Sequence, residues 1–151
     1  MKRIAVMSDT HDVLRPSVLE VVKTCDAIIH AGDFARESIL DALRPLGSIY
    51  AVRGNNDRMW AGSLKDSLRF QLGGVHFFLT HDKRDVARNL DGIDVVIFGH
   101  SHKYFQEIID GRLWLNPGSC GRPRFGGPLS MAVMEINEAD HTWTAQKIPI
   151  D

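Results

Sequence analysis

The sequence predicts an α/β fold of two β-sheets packed face to face, with helices outside. Three observations predict it. Five apolar runs, residues 2–8, 27–30, 49–52, 75–79 and 95–98, each lead into an Asp, His or Asn, and runs of this length read as buried strands. In the first half these runs alternate with helical patterns, which implies parallel strands joined by right-handed crossovers. In the second half, alternating runs meet at two-residue turn signals, which implies antiparallel hairpins.

The elements follow in order. Run 2–8 leads into Asp9-Thr10-His11. Residues 13–25 place Val13, Leu14, Val18, Leu19, Val21 and Val22 on one helical face, with Pro16 tolerable only in the first turn. Run 27–30 leads into Gly32-Asp33. Residues 36–44 carry Ile39, Leu40 and Leu43 at helical spacing and stop before Pro45. Run 49–52 leads into Gly54-Asn55-Asn56-Asp57. Strand 68–72 turns through Gly73-Gly74 into 75–79, which leads into Thr80-His81. Residues 83–90 read as a short helix, and run 95–98 leads into Gly99-His100-Ser101-His102. Strands 103–109 and 112–115 join at Asp110-Gly111, and 129–136 and 142–150 form a closing hairpin. The loosest stretch is 122–128, rich in Gly and Pro. With no repeat or linker, 1–151 reads as a single domain long enough for a core.

Composition narrows the class. Apolar content of 44% and charged content of 25% are those of an ordinary globular protein. Eighteen Lys and Arg against 19 Asp and Glu give a net charge of −1, which argues against a nucleic-acid partner. Cys25 and Cys120 are lone and far apart, so a disulfide is not expected and a reducing cytoplasm fits. No signal peptide is read, and no apolar run approaches the ~20 residues that span a bilayer, so no membrane partner is expected.

In open α/β sheets, sites form beyond the carboxyl ends of the strands. Residues as distant as Asp9 and His102 can therefore share one crevice. The candidates are Asp9, His11, Asp33, Asn55, His81, His100 and His102. All offer oxygen or nitrogen, which suits a hard or borderline divalent ion. In extended backbone, residues i and i+2 point to the same side. Asp9 and His11, and likewise His100 and His102, would then each aim a pair of ligands into one pocket. Seven ligands exceed the three or so that one catalytic metal takes. They suit two metals about 3.5–4 Å apart that share one bridging group, as a carboxylate with two oxygens can supply. Excess positive charge there favours an anionic substrate and a bridging hydroxide, hence hydrolysis of a phosphate ester.

Ser8-Asp9-Thr10-His11, Gly32-Asp33, Gly54-Asn55-Asn56-Asp57, His81, Gly99-His100-Ser101-His102 and Asn116-Pro117-Gly118-Ser119 together resemble the calcineurin-like metallophosphoesterase superfamily. More narrowly, they are similar to its small YfcE-type phosphodiesterase branch. The resemblance implies a four-layer αββα sandwich of two mixed sheets flanked by helices. It implies one metal held by Asp9, His11, Asp33 and His102, and the other by Asp33, Asn55, His81 and His100. Manganese is the foremost candidate, with Fe, Ni, Zn or Mg as alternatives. Three features depart from the pattern. Asn56 stands where the phosphatase branch has a proton-donating His, where small relatives carry Cys, and Asp82 follows His81 where Gly is usual. Asn56 cannot titrate, which disfavours efficient monoester hydrolysis.

Beside the metal ligands, Asn56 and Asp57 are the candidate catalytic residues, Asp57 as the group orienting Asn56 or Arg58, with a turn role as its alternative. Arg53, Arg122 and Arg124 are the candidates for holding substrate phosphate, with a solvated surface role as theirs. Asn116–Ser119 either shapes the pocket or is a turn. His30, His76 and His141 lie outside the pattern and read as structural or exposed. Met59, Trp60 and Trp114 read as core or subunit interface. The expected function is a di-metal phosphodiesterase acting on a small phosphodiester, with a dimer or tetramer left open. The alternatives are a non-catalytic interaction module, as a retromer subunit of similar fold illustrates, or a phosphomonoesterase. A nuclease is disfavoured by the neutral charge and the lack of an aromatic-basic groove.

Overall fold

In the computed structural model, which describes residues 1–123 and 127–151, the chain builds two five-stranded mixed sheets. The first sheet comprises β1 (Lys2–Met7), β2 (Ala27–His30), β3 (Ser48–Ala51), β9 (Leu129–Asn137) and β10 (Thr142–Ile150), in the order β10-β9-β1-β2-β3. The second comprises β4 (Ser67–Leu72), β5 (Val75–Thr80), β6 (Val95–Ile97), β7 (Phe105–Ile109) and β8 (Arg112–Asn116), in the order β4-β5-β6-β8-β7. Strands β1, β2 and β3 run parallel, as do β5, β6 and β8. The hairpin strands lie antiparallel at the margins.

The alternation of each strand decides what lies on each face. Ile4, Val6 and Ile29 from the first sheet meet Phe77, Leu79, Val95, Ile97 and Leu115 from the second in a central core. The opposite face of the first sheet, with Ala5, Met7, Ile28 and Met131, is covered by α1 (Pro16–Val22) and α2 (Glu37–Leu43). Val18, Val22, Leu40 and Leu43 supply their buried stripes. Both helices are shorter than the periodicity predicts. Pro16 opens α1 in its first turn, where its missing N–H is harmless. After α2 a 3-10 turn, Arg44–Leu46, carries the chain past Pro45.

The outer face of the second sheet corrects one expectation. Residues 83–90 form only a 3-10 turn, Lys83–Asp85, and Val86 is already extended. Side chains from other strands hold the segment that follows. Arg112 donates to the carbonyls of Leu90 and Ile93, and Arg69 to that of Asn89. This path lets Leu90 and Ile93 cover Phe78, Val96 and Phe98. The fourth layer of the sandwich is therefore thin. Among the described residues, no helix is long and apolar enough to cross a membrane.

Candidate metal centre

The parallel strands of both sheets deliver their following loops to one edge of the sandwich. There the structure brings together Asp9 and His11 after β1, Asp33 after β2, Asn55 after β3, His81 after β5, and His100 and His102 after β6. His11 Nε2 lies 3.6 Å from Asp9 Oδ1 and 3.6 Å from Asp33 Oδ2. His102 Nε2 lies 3.4 Å from Asp9 Oδ1 and 3.3 Å from His11 Nε2. On the other side, His81 Nε2 lies 3.3 Å from Asp33 Oδ2 and 3.3 Å from His100 Nδ1. Asp33 thus faces both groups of histidines, while Asp9 Oδ1 is 4.0 Å from His81 Nε2.

The local geometry differs from the extended backbone expected of the Asp-x-His and His-x-His pairs. Asp9, His11, Asp33, His100 and His102 all have positive φ, between 45° and 73°. Asp and His enter this left-handed region more readily than most residues, yet each such residue carries strain of about 1–3 kcal/mol. The strands end before the ligands, and sharp turns rather than pleats aim them. His100 and His102 consequently diverge, one towards His81 and the other towards Asp9 and His11.

A second set of residues holds these turns. Ser8 Oγ donates to Asp9 Oδ2 at 2.7 Å, and Ser119 Oγ donates to the Asp9 carbonyl at 2.9 Å. Asn116 Nδ2 donates to the Gly99 carbonyl and to Ser101 Oγ, both at 3.1 Å. Asn116–Ser119 therefore braces the ligand loops. His30 is fully buried and stacks on Phe34, its Nδ1 accepting from Gly32 N–H and its Nε2 lying 3.2 Å from Thr10 Oγ1. Acceptance at Nδ1 makes Nε2 the donor to Thr10. Asp57 takes three backbone N–H groups, from Asp33, Ala35 and Gly54, at 2.8–2.9 Å. Its carboxylate clamps the loop after β2 to the loop after β3 and faces away from Asn56 and Arg58. Gly54 is required at that clamp, because a Cβ there would collide with Asp33.

Charge follows from this packing. Burial alone would raise the Asp9 pKa, but contacts with His102 and His11 override it and hold the group well below the usual range. Asp33 is lowered in the same way, chiefly by His81. Burial would lower His81, yet its hydrogen bond to Asp33 and the Asp9 charge raise it to about 9. Burial depresses His30 to about 3, so it stays neutral.

The donor set fits divalent cations on three observations. Asp9 Oδ1 is buried with no hydrogen-bond partner. The Asn55 amide stands against His81 Nε2 and the Asp33 carboxylate, where its nitrogen donates in the metal-free chain and its oxygen would face an ion after a flip. The ligand atoms of Asp9, His11 and His102, and those of Asp9, Asp33 and His81, each lie within 4.8 Å of one another. Carboxylate oxygens and imidazole nitrogens that converge in this way form a donor set suited to a divalent cation.

The other candidates take distinct places. Asn56 grips Asp33 twice, through its backbone N–H at 2.9 Å and its Nδ2 at 3.1 Å. Arg122 donates to the His11 carbonyl at 3.1 Å and, with His11, Asn56 and His102, lines a cavity of about 320 Å³ over the ligands. Arg53 is tied to Asp66 at 2.8 Å and lines a neighbouring cleft of about 780 Å³ beside His81 and His100. Arg124 lies outside the described residues. Asp82 is lowered to about 2 by Arg84, which it meets at 2.7 Å, and lies 3.7 Å from His100 Nε2. Sequence reasoning missed Arg84, the Asp57 clamp and the brace from His30. Ser8 and Thr10, adjacent to Asp9, and the Asn116–Ser119 motif carried a sequence signal.

Fold and donor set together define a metal-binding α/β sandwich. Residues 1–139 match the family model of the calcineurin-like phosphoesterase superfamily domain. The chain is 30% identical over 140 residues to a phosphodiesterase of Methanocaldococcus jannaschii, covering 78% of this chain and 84% of that protein. It is 32% identical over 148 residues to a probable metallophosphoesterase of Methanothermobacter thermautotrophicus, covering 89% and 86%. A solved structure described as a novel archaeal phosphodiesterase superposes with a TM-score of 0.75 at 25% identity, over 97% of this chain and 99% of that one. Vps29 of Entamoeba histolytica superposes with a TM-score of 0.76 at 20% identity, over 99% of both chains. That likeness is one of fold alone. The chain belongs to the calcineurin-like phosphoesterase superfamily.

Proposed function

We propose that the 151-residue chain works as one domain, a two-metal phosphodiesterase. The observation that carries this reading is the position of Asp33, which faces His11 at 3.6 Å and His81 at 3.3 Å and so stands between two sets of donors. Asp9, His11, Asp33 and His102 would hold one ion, and Asp33, Asn55, His81 and His100 the other. Two divalent ions, Mn foremost, with Fe, Ni, Zn or Mg as alternatives, would supply positive charge to the phosphoryl oxygens and activate the attacking water. The chain itself supplies two buried carboxylates kept ionised, which retain the ions and leave net positive charge for an anionic phosphate.

Around that centre, Arg122 would contact the phosphate from the small cavity it shares with Asn56. Asn56 directs its amide to Asp33 and has no proton to release to a leaving oxygen. Diesters with acidic leaving groups, such as aryl alcohols, are therefore the favoured class. Asp57, consumed by three backbone N–H groups, serves as a positioning residue. The free Cys25 and Cys120 suit a reduced compartment such as the cytoplasm.

The test is hydrolysis of bis(p-nitrophenyl) phosphate by metal-stripped protein reloaded with each ion. Turnover that requires metal, exceeds that of p-nitrophenyl phosphate and accompanies two ions per chain is expected. Two bound ions without turnover of either ester would favour the interaction module instead.

A further inference from the structure

A second cavity, of about 710 Å³, opens beside His102 on the side away from the His81 cleft. It lies where the two sheets part. Tyr104, Pro128 and Ser130 form its walls, and Lys103 and Lys147 bring ammonium groups to it. Its main wall is fixed. The Tyr104 hydroxyl donates to Gln106 Oε1 at 2.7 Å, and Gln106 Nε2 donates to the Ala145 carbonyl of β10 at 3.3 Å, tying the ring of one sheet to the backbone of the other. The Lys147 Nζ stands 5.3 Å from the Tyr104 ring centroid.

The charges of the two clefts contrast. In the His81 cleft each arginine already has a carboxylate, Arg53 with Asp66 and Arg84 with Asp82. Among the described residues, no Asp or Glu lines the Tyr104 cavity and no carboxylate is within ion-pair reach of Lys103 or Lys147. A chain of net charge −1 thus keeps two unneutralised ammoniums at a flat-walled cavity that adjoins the metal ligands. Cations left unpaired beside an apolar wall favour an anion on an apolar carrier.

We propose that this cavity binds one ester arm of the substrate, and that this arm couples a flat apolar body to a second anionic group held by Lys103 and Lys147. The inference rests on the phosphodiesterase reading. A diester has two arms, and His100 and His102 each border both the cavity over the ligands and one flanking cleft. The second arm then lies in the His81 cleft, whose paired charges favour a neutral or hydroxylated group.

The experiment compares 4-carboxyphenyl phenyl phosphate with diphenyl phosphate as substrates of the manganese-loaded protein, and measures binding of 4-carboxyphenyl phosphate and phenyl phosphate by calorimetry. The carboxylated member of each pair should be preferred. Lys147→Gln should cut that preference by about 5-fold, the upper end for an exposed ammonium–carboxylate pair. Lys23→Gln, which removes the same charge at the far end of α1, should leave it intact. An unchanged preference in both Lys147→Gln and Lys103→Gln, with both diesters hydrolysed, would overturn the cavity assignment alone. Tighter binding of the carboxylated monoester that depends on Lys147, with neither diester hydrolysed, would retain the anion cavity and sink the phosphodiesterase reading.

Discussion

The two halves of the metal centre are built differently. The half formed by Asp9, His11 and His102 is sunk into the sandwich. Asp9 is fully buried, its carboxylate accepts from Ser8, and its carbonyl accepts from Ser119. The half formed by Asn55, His81 and His100 is more open at its rim: His81 is buried, but Asn55 is exposed and the His100 side chain is 37% exposed, beside an Asp82 committed to Arg84. Burial strengthens ion–ligand attraction, and bracing removes the entropy of assembling ligands. On the two-metal reading proposed above, the inner half would be the tight, retained site and the outer half the exchangeable one. Asp33 joins them.

The sharpest way to break this arrangement is Asp33→Asn. It removes the carboxylate that lies 3.6 Å from His11 and 3.3 Å from His81, while Asn56 can still donate to the remaining oxygen. The loss in activity should exceed the 10–100-fold typical of a lost supporting residue. The fold should survive, because the central core lies between the sheets and owes nothing to Asp33. Metal analysis should find fewer than two ions at a normal circular-dichroism spectrum. Full activity at saturating manganese would abolish the shared-ligand assignment.

A paired change sharpens the comparison itself. His102→Ala strikes the inner half and His100→Ala the outer. Titration of stripped wild-type protein with manganese should show two steps, separated by roughly 10-fold or more in affinity. His102→Ala should erase the tight step and His100→Ala the weak one. Equal weakening of both steps in both variants would mean that the halves do not differ.

The same contrast explains what could be read in advance. The parallel strands are legible because each is an apolar run of the right length, the hairpins because of their turn signals, and the candidate ligands because each follows such a run. The conformation that aims them is not. An Asp-x-His motif reads as extended by default, and the positive φ of Asp9, His11, His100 and His102 arises from braces such as Ser119 and Asn116, which are remote in sequence. Residues 83–90 depart from the helical pattern in the same setting: the side chains that hold Asn89 and Leu90, Arg69 and Arg112, sit on other strands. Asp57 looked like a turn residue or a partner for its neighbours, since its three N–H donors become visible only when the loops after β2 and β3 meet.

A smaller effect belongs to the inner half. His30 is buried and held neutral down to about pH 3, whereas an unfolded chain protonates it below about 6.5. Between those values the unfolded state binds more protons. The stability that His30 permits is thus present above pH 6.5 and is lost as pH falls towards 3, by up to about 1.4 kcal/mol per pH unit. His30→Gln keeps an acceptor for Gly32 and a donor for Thr10 but does not titrate. Urea unfolding of the metal-free proteins from pH 7 to 4 should show a shallower decline in the variant. Parallel curves would show that His30 carries no part of the acid limb.

The smallest expected change concerns Asn56, which lies at the outer face of the shared carboxylate. General acid assistance is worth roughly 10²–10⁴ when a poor leaving group must depart. Asn56 donates a hydrogen bond to Asp33 and lines the cavity over the ligands with His11 and Arg122, so a side chain there reaches the substrate's side of the centre. Asn56→His keeps a donor towards Asp33 and adds a group that can release a proton. Grafted without its own supporting residues, it should recover only a fraction of that assistance. The ratio of p-nitrophenyl phosphate to bis(p-nitrophenyl) phosphate turnover should rise by about 3–10-fold, a small part of the general-acid range. The monoester profile should also gain a falling limb near the histidine pKa, since only the protonated form serves as acid. An unchanged ratio at full metal occupancy would mean that the shape and charge of the clefts, rather than the missing acid, set the preference for diesters.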